Sequence, residues 1–258
     1  MYSEAEADTR TFSGALAKTS GVQKTAKGAP AYSRYINRRL GRYLAAGAYV
    51  LRLTPNQVTV VSAMFSFAGI AVIALVRPSG WMAAFVTIAL VLGYALDSAD
   101  GQLARLRGGG SRAGEWLDHM VDCVKISTLH LAVLVSFYRF LSIDRPASLF
   151  LPGAFEVVAI VFFFGTMLTD QLRRAEGSPG QPAATADHVA PMLRSLLVLP
   201  TDYGLTCLVF VAIGFPRVFL ALYGLLFAGT LLFLIAVSVK WYREIGAFGR
   251  PPTPGTPH

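Results

Sequence analysis

Six stretches of this chain are apolar and long enough to cross a bilayer, with short polar or basic breaks between them. Residues 57–76 are the first, closed by Arg77-Pro78-Ser79-Gly80. Residues 81 to about 105 and 113 to about 140 follow, joined by a basic, glycine-rich segment from Arg105 to Arg112. Residues 150–172 are the fourth, and the polar loop RRAEGSPGQPAATADH separates them from a fifth at 190–213, interrupted by Pro200-Thr201-Asp202. Residues 216–241 are the sixth. A spanning helix needs roughly 20 predominantly apolar residues. The expected fold is therefore all-α: a polytopic membrane protein with six transmembrane helices over residues 54–245.

The flanks read differently. Residues 1–30 are polar, with no apolar signal-peptide core, and read as a disordered tail. Over 31–53, Tyr35, Ile36, Leu40, Tyr43 and Leu44 recur at helical spacing against Arg34, Arg38, Arg39 and Arg42. That pattern predicts an amphipathic helix lying on the membrane surface, a plain basic flank being the alternative. Pro55 ends this element, because it restricts the residue before it. Residues 246–258 are proline-rich and read as a second disordered tail.

Composition agrees with a membrane chain: 54% of residues are hydrophobic, 15% are charged, and mean hydropathy is +0.51. The net charge of +8 sits beside the apolar runs rather than spread as a nucleic-acid footprint, so no nucleic-acid partner is expected. One side receives the basic N-terminus, Arg105/Arg107/Arg112, Arg173/Arg174 and Lys240/Arg243/Arg250; the other receives Arg77, Arg139/Arg145 and Arg217. The positive-inside rule then puts both termini and the hairpin between spans two and three on the cytoplasmic face. Abundant Ala, Arg and Gly suit a GC-rich bacterial genome, so a bacterial cytoplasmic membrane is the expected location. Cys123 and Cys207 lie in apolar segments and read as small packing residues.

That hairpin holds the chemistry. Asp97 and Asp100 are three apart, Asp118 and Asp122 four apart, so each pair shares one helix face. An Asp at a helix centre costs roughly 2.5–3.5 kcal/mol to insert, so four cost up to about 10–14 kcal/mol before repulsion. A divalent cation with oxygen ligands offsets this; solvated acids paired with Arg105, Arg107 and Arg112 are the plainer alternative. An intramembrane divalent-cation transporter is the rival of a different class. It fits less well, since the acids occupy one hairpin at one face, beside arginines. Gly108-Gly109-Gly110 reads as a turn.

The stretch Asp97-x2-Asp100-Gly101-x2-Ala104-Arg105-x8-Gly114-x3-Asp118-x3-Asp122 resembles the signature of the class I CDP-alcohol phosphotransferases, with every position filled. The resemblance implies six helices and transfer of a substituted phosphate group from a CDP-alcohol, CDP-diacylglycerol being the favoured donor, to an alcohol with release of CMP. It implies two Mg²⁺ or Mn²⁺ ions held by Asp97, Asp100, Asp118 and Asp122. It puts Gly101, Ala104, Arg105 and Gly114 against the nucleotide, with Asn56 and Thr59 near the same site. Asp122 is then the base. The text Gly114-Glu115-x2-Asp118-His119 also resembles the choline/ethanolamine phosphotransferase branch, in which His119 takes that role, Glu115 orients it, and CDP-choline or CDP-ethanolamine serves a diradylglycerol acceptor. Arg173, Arg174 and Arg194 are expected to set topology, with an acceptor phosphate as the alternative. A homodimer is compatible with the resemblance.

Overall fold

The computed structural model describes residues 11–21, 30–140, 147–177 and 198–248, and every regular element among them is helical. Helix α1 is Phe12–Gly21. A π-helical turn, Ser33–Asn37, runs into α2, Arg38–Val50. Then come α3 (Pro55–Leu75), α4 (Gly80–Leu106), α5 (Arg112–Phe140) and α6 (Ala147–Ala175). Helix α7, Tyr203–Val209, is flanked by the 3₁₀ turns Leu199–Thr201 and Phe210–Ala212, and α8 is Pro216–Ile245.

Local chemistry sets the helix ends. At α3 the Thr54 hydroxyl accepts from the Gln57 N–H (3.2 Å) and the Gln57 side chain accepts from the Thr54 N–H (2.8 Å), with Pro55 opening the helix. At the end of α4 the chain turns through Gly108 and Gly109, whose φ values of 94° and 132° favour glycine. The Gly109 N–H closes the turn on the Ala104 carbonyl at 2.9 Å.

Helices α3, α4, α5, α6 and α8 are long and apolar enough to span a membrane, so the described residues hold five spans where six were expected. The expected fifth span falls partly outside the described residues, at 190–197. Its described part is broken where the sequence breaks: Pro200 supplies no N–H, and Asp202 caps α7 by accepting from the Gly204 N–H at 3.1 Å. What remains, Tyr203–Ala212, is an apolar helix too short to span. A second correction concerns the expected tail over residues 1–30. Its described part forms α1, because Ala15 and Thr19, four apart, bury one small face against α2.

Helix α2 forms where an amphipathic helix was expected, but the bundle takes its small residues. Gly41, Ala45 and Ala48 are buried, while Tyr35, Ile36, Leu40 and Tyr43 are 41–57% exposed. A β-carbon on Gly41 would lie 2.8 Å from the Ser98 hydroxyl of α4. Helices α3 and α4 approach in the same way: the Ser62 hydroxyl donates to the Gly93 carbonyl at 2.8 Å. The apolar core gathers Ile73, Met82, Leu90, Val133, Phe210 and Phe219, and encloses a His130–Tyr223 hydrogen bond of 2.6 Å. At one end Arg173 pairs bidentately with Glu244 (2.7 and 2.8 Å), tying α6 to α8. At the other, Arg139 donates to the Ala74 carbonyl at 3.1 Å.

A β-carbon on Gly93 would sit 3.1 Å from the Ser62 carbonyl and the Ser66 backbone nitrogen, whereas one on Gly47 meets nothing within 4 Å. Gly93→Val is expected to cost about 2–3 kcal/mol, and Gly47→Ala to be neutral or stabilising by up to about 1 kcal/mol. Thermal unfolding of the detergent-solubilised protein measures both.

Candidate metal centre

The Gly108–Gly109 turn reverses the chain, and α5 runs back against α3 with its acidic face turned to that of α4. One carboxylate oxygen each from Asp97, Asp118 and Asp122 lies within 4.8 Å of the other two. Asp100 is the exception among the four aspartates. It is buried on α4, but its carboxylate turns to α3 and accepts from the Thr59 hydroxyl at 2.6 Å. It still lines a cavity of about 190 Å³ with Asp97, Asp118, Gly101, Arg105 and Arg38.

Lys125, which the sequence reading passed over, sits inside the cluster. Its Nζ donates to Asp97 Oδ1 and Asp122 Oδ1, both at 2.8 Å, and its side chain is 3% exposed. The ring of Tyr203 flanks the ammonium at 6.0 Å. A lysine three residues past Asp122, inside an otherwise apolar helix, was a readable signal: a cation there needs an acid partner. The ammonium neutralises part of the charge on Asp97 and Asp122, yet it leaves Asp118 Oδ1 buried without a hydrogen-bond partner among the described residues. A buried carboxylate oxygen with no donor asks for a cation. With oxygen donors alone converging, the residues fit a hard divalent ion such as Mg²⁺ or Mn²⁺.

The remaining expected residues divide into two groups. Gly101 faces open space, the nearest atom to an added β-carbon being Arg105 Nη1 at 3.6 Å; a ligand can approach the backbone there. Gly114 is small for another reason: a β-carbon would lie 2.9 Å from Asn56 Oδ1, so Asn56 and Gly114 are neighbours. Arg105 lies on the cavity wall with its Nε buried and without a partner among the described residues, and Ala104 packs one turn before the glycine turn. His119 is not among the described lining residues. It is about one-third exposed, 3.8 Å from Glu115 Oε1, and Glu115 Oε1 in turn accepts from Arg174 at 2.5 Å.

Both arginines raised as acceptor-phosphate ligands are therefore engaged, Arg174 with Glu115 and Arg173 with Glu244 and Asp170. Arg194 lies outside the described residues. Asp202 is structural, accepting from the backbone N–H groups of Ser33 and Gly204. Cys123 and Cys207 are free thiols.

Comparison with known proteins bears on the same segment. The family model described as CDP-alcohol phosphatidyltransferase matches residues 52–242. The phosphatidylinositol phosphate synthase of Corynebacterium glutamicum is 33% identical over 99 residues, 38% of this chain and 42% of that protein, so the match spans less than half of the relative's length. The phosphatidylinositol phosphate synthase of Mycobacterium tuberculosis in apo form aligns with a TM-score of 0.51 at 22% identity, over 79% of this chain and 95% of that one. Its form with CDP-DAG bound aligns at 0.48 and 20% identity, over 84% and 98%.

Two substitutions separate the roles of ammonium and carboxylate. Lys125→Met strands two half-buried carboxylates and is expected to lower metal-free stability by about 1–3 kcal/mol, with added Mn²⁺ recovering most of the loss. Asp118→Asn removes an oxygen without a protein partner, so metal-free stability changes little while Mn²⁺ binding weakens at least about tenfold. Thermal melts with and without Mn²⁺, and calorimetric titration, read both.

Proposed function

The chain belongs to the CDP-alcohol phosphatidyltransferase family, and from that premise we propose a reaction for it. A CDP-alcohol, with CDP-diacylglycerol as donor, gives its substituted phosphate group to the hydroxyl of a polar alcohol, and CMP leaves. The observation that carries this reading is the convergence of Asp97, Asp118 and Asp122, with an unpartnered Asp118 oxygen, inside the family-matched segment. The name of the C. glutamicum relative supports a phosphatidyl donor.

When bound, one or two Mg²⁺ or Mn²⁺ ions on Asp97, Asp118 and Asp122 would neutralise the phosphoryl oxygens and the departing CMP. Asp100, its carboxylate held toward α3 by Thr59, completes the acidic wall of the cavity. Gly101 leaves room for the nucleotide against α4, with Ala104 on the same face, and the Arg105 guanidinium pairs with a phosphate oxygen. Asn56, against Gly114, borders the same end of α3. The acceptor oxygen forms a bond to the phosphorus that carries diacylglycerol, and the bond from that phosphorus to the CMP oxygen breaks. The acceptor's proton passes to the Asp122 carboxylate, whose Oδ1 is already anchored by Lys125.

His119 is the other candidate base. Its pairing with Glu115, away from the cavity lining, favours Asp122, and it weighs against the choline/ethanolamine arrangement. A cation-carrier reading is disfavoured as well, since the acids are confined to one helical hairpin, with Arg105 and Arg38 on the same cavity wall. The cationic ends of α2, α4, α6 and α8 orient the site toward the cytoplasm of a bacterial membrane by the positive-inside rule.

Membranes carrying the protein are expected to release CMP from radiolabelled CDP-diacylglycerol in the presence of one member of a panel of polar alcohols. Chelation should abolish release and Mg²⁺ or Mn²⁺ restore it. Asp118→Asn should slow release at least about a hundredfold, and His119→Ala only a few-fold. Parental CMP release by the Asp118 variant would overturn the assignment.

A further inference from the structure

A second cavity of about 1000 Å³ opens beside the metal centre. Its wall brings together Lys18 of α1, Tyr49 of α2, Arg52 of the link to α3, and Arg105, Arg107 and Gly108 at the end of α4. Four cations thus come from three separate segments, and no carboxylate is among the described lining residues. None of the four aspartates lines it, nor do Asn56, Thr59, Gly101, Ala104 or Gly114; Arg105 alone is shared with the cavity at the metal centre. Of the wall, Lys18, Tyr49 and Val50 precede the family-matched segment, and Arg52, Arg105, Leu106, Arg107 and Gly108 lie inside it.

Two details indicate that the cations are there to be used. Arg52 is the one non-glycine residue with positive φ among the described residues, at 60°. It ends α2 with its N–H on the Tyr49 carbonyl at 3.1 Å, a helix-terminal position that glycine occupies with less strain. An arginine kept there places a guanidinium on the cavity wall at the cost of backbone comfort. The Nε of Arg105 is buried and has no partner among the described residues. Like charges gathered round an open volume repel one another unless an anion joins them. Beside the cavity, Val50 and Leu51 are 41% and 72% exposed, an apolar surface next to the basic wall.

We propose that this cavity binds the phosphate of an anion other than the one transferred at the metal centre: the phosphodiester head group of an anionic phospholipid, or free phosphate. The inference does not depend on the proposed reaction. It rests on the cations, the strained Arg52 and the separation of the two cavities.

The test uses the full chain, purified in detergent. Native mass spectrometry counts bound phosphatidylglycerol against phosphatidylcholine, and calorimetry titrates inorganic phosphate. Arg52→Gly relieves the backbone, so its melting temperature should equal or exceed that of the parent while anion binding weakens about tenfold or more. Lys18→Gln, on an exposed side chain, is the second variant and should weaken binding likewise. Preference for phosphatidylglycerol assigns the lipid source; phosphate binding without lipid preference assigns the soluble source; loss in the variants supports the site in either case. Unchanged binding in both variants, or displacement of the bound anion by CMP, would overturn it.

Discussion

Carboxylates among lipid-facing helices persist only where something positive, or a good donor, meets each of them. Here the requirement is met unequally. Lys125 bridges Asp97 and Asp122, and Thr59 holds Asp100. Asp118 keeps one buried oxygen with no partner among the described residues. The inequality makes the cluster chemically useful: a fully paired set would be inert, and a wholly unpaired one would open the helices apart.

Meeting that requirement constrains the packing around it. Thr59 reaches Asp100 only because α3 and α4 approach closely, and they do so through Gly93, Ser62 and Ser66. Without a hydrophobic driving force between lipid-solvated helices, small residues and interhelical hydrogen bonds carry association. Helix α2 joins the same surface through Gly41, Ala45 and Ala48, which leaves its aromatic and aliphatic side chains facing outward. The ion pairs of Arg173 and Arg174 then tie α6 to α8 and α5, and these arginines act as struts at that end of the bundle.

The two cavities follow from one arrangement. Ending α4 at a glycine turn sets its acidic face against α5 and its basic final turn against the end of α2. Arg105 stands between them, where an anion on either side is within its reach. One cavity wall is acidic and the neighbouring one is basic. This pairing of opposite charges suits a protein whose proposed substrates carry phosphates.

Much of this was readable from residue order. The helical class follows from long apolar runs, which only helices or closed barrels can place in a bilayer. The pairing of aspartates follows from spacings of three and four, and the turn from three consecutive glycines. Other features were not readable, because they depend on which faces meet. Asp100 shares a helix face with Asp97, yet the proximity of Thr59, 41 residues earlier, draws its carboxylate away from the other three. Lys125 shares a helix turn with Asp122, but Asp97 became its second partner only once the acidic faces of α4 and α5 met. The break at Pro200 and Asp202 was visible in residue order, but that only a short apolar helix follows it was not. Periodicity and charge order are properties of one strand of text and survive without neighbours; ligand sets, ion pairs and cavities are distances between helices, which exist only after packing.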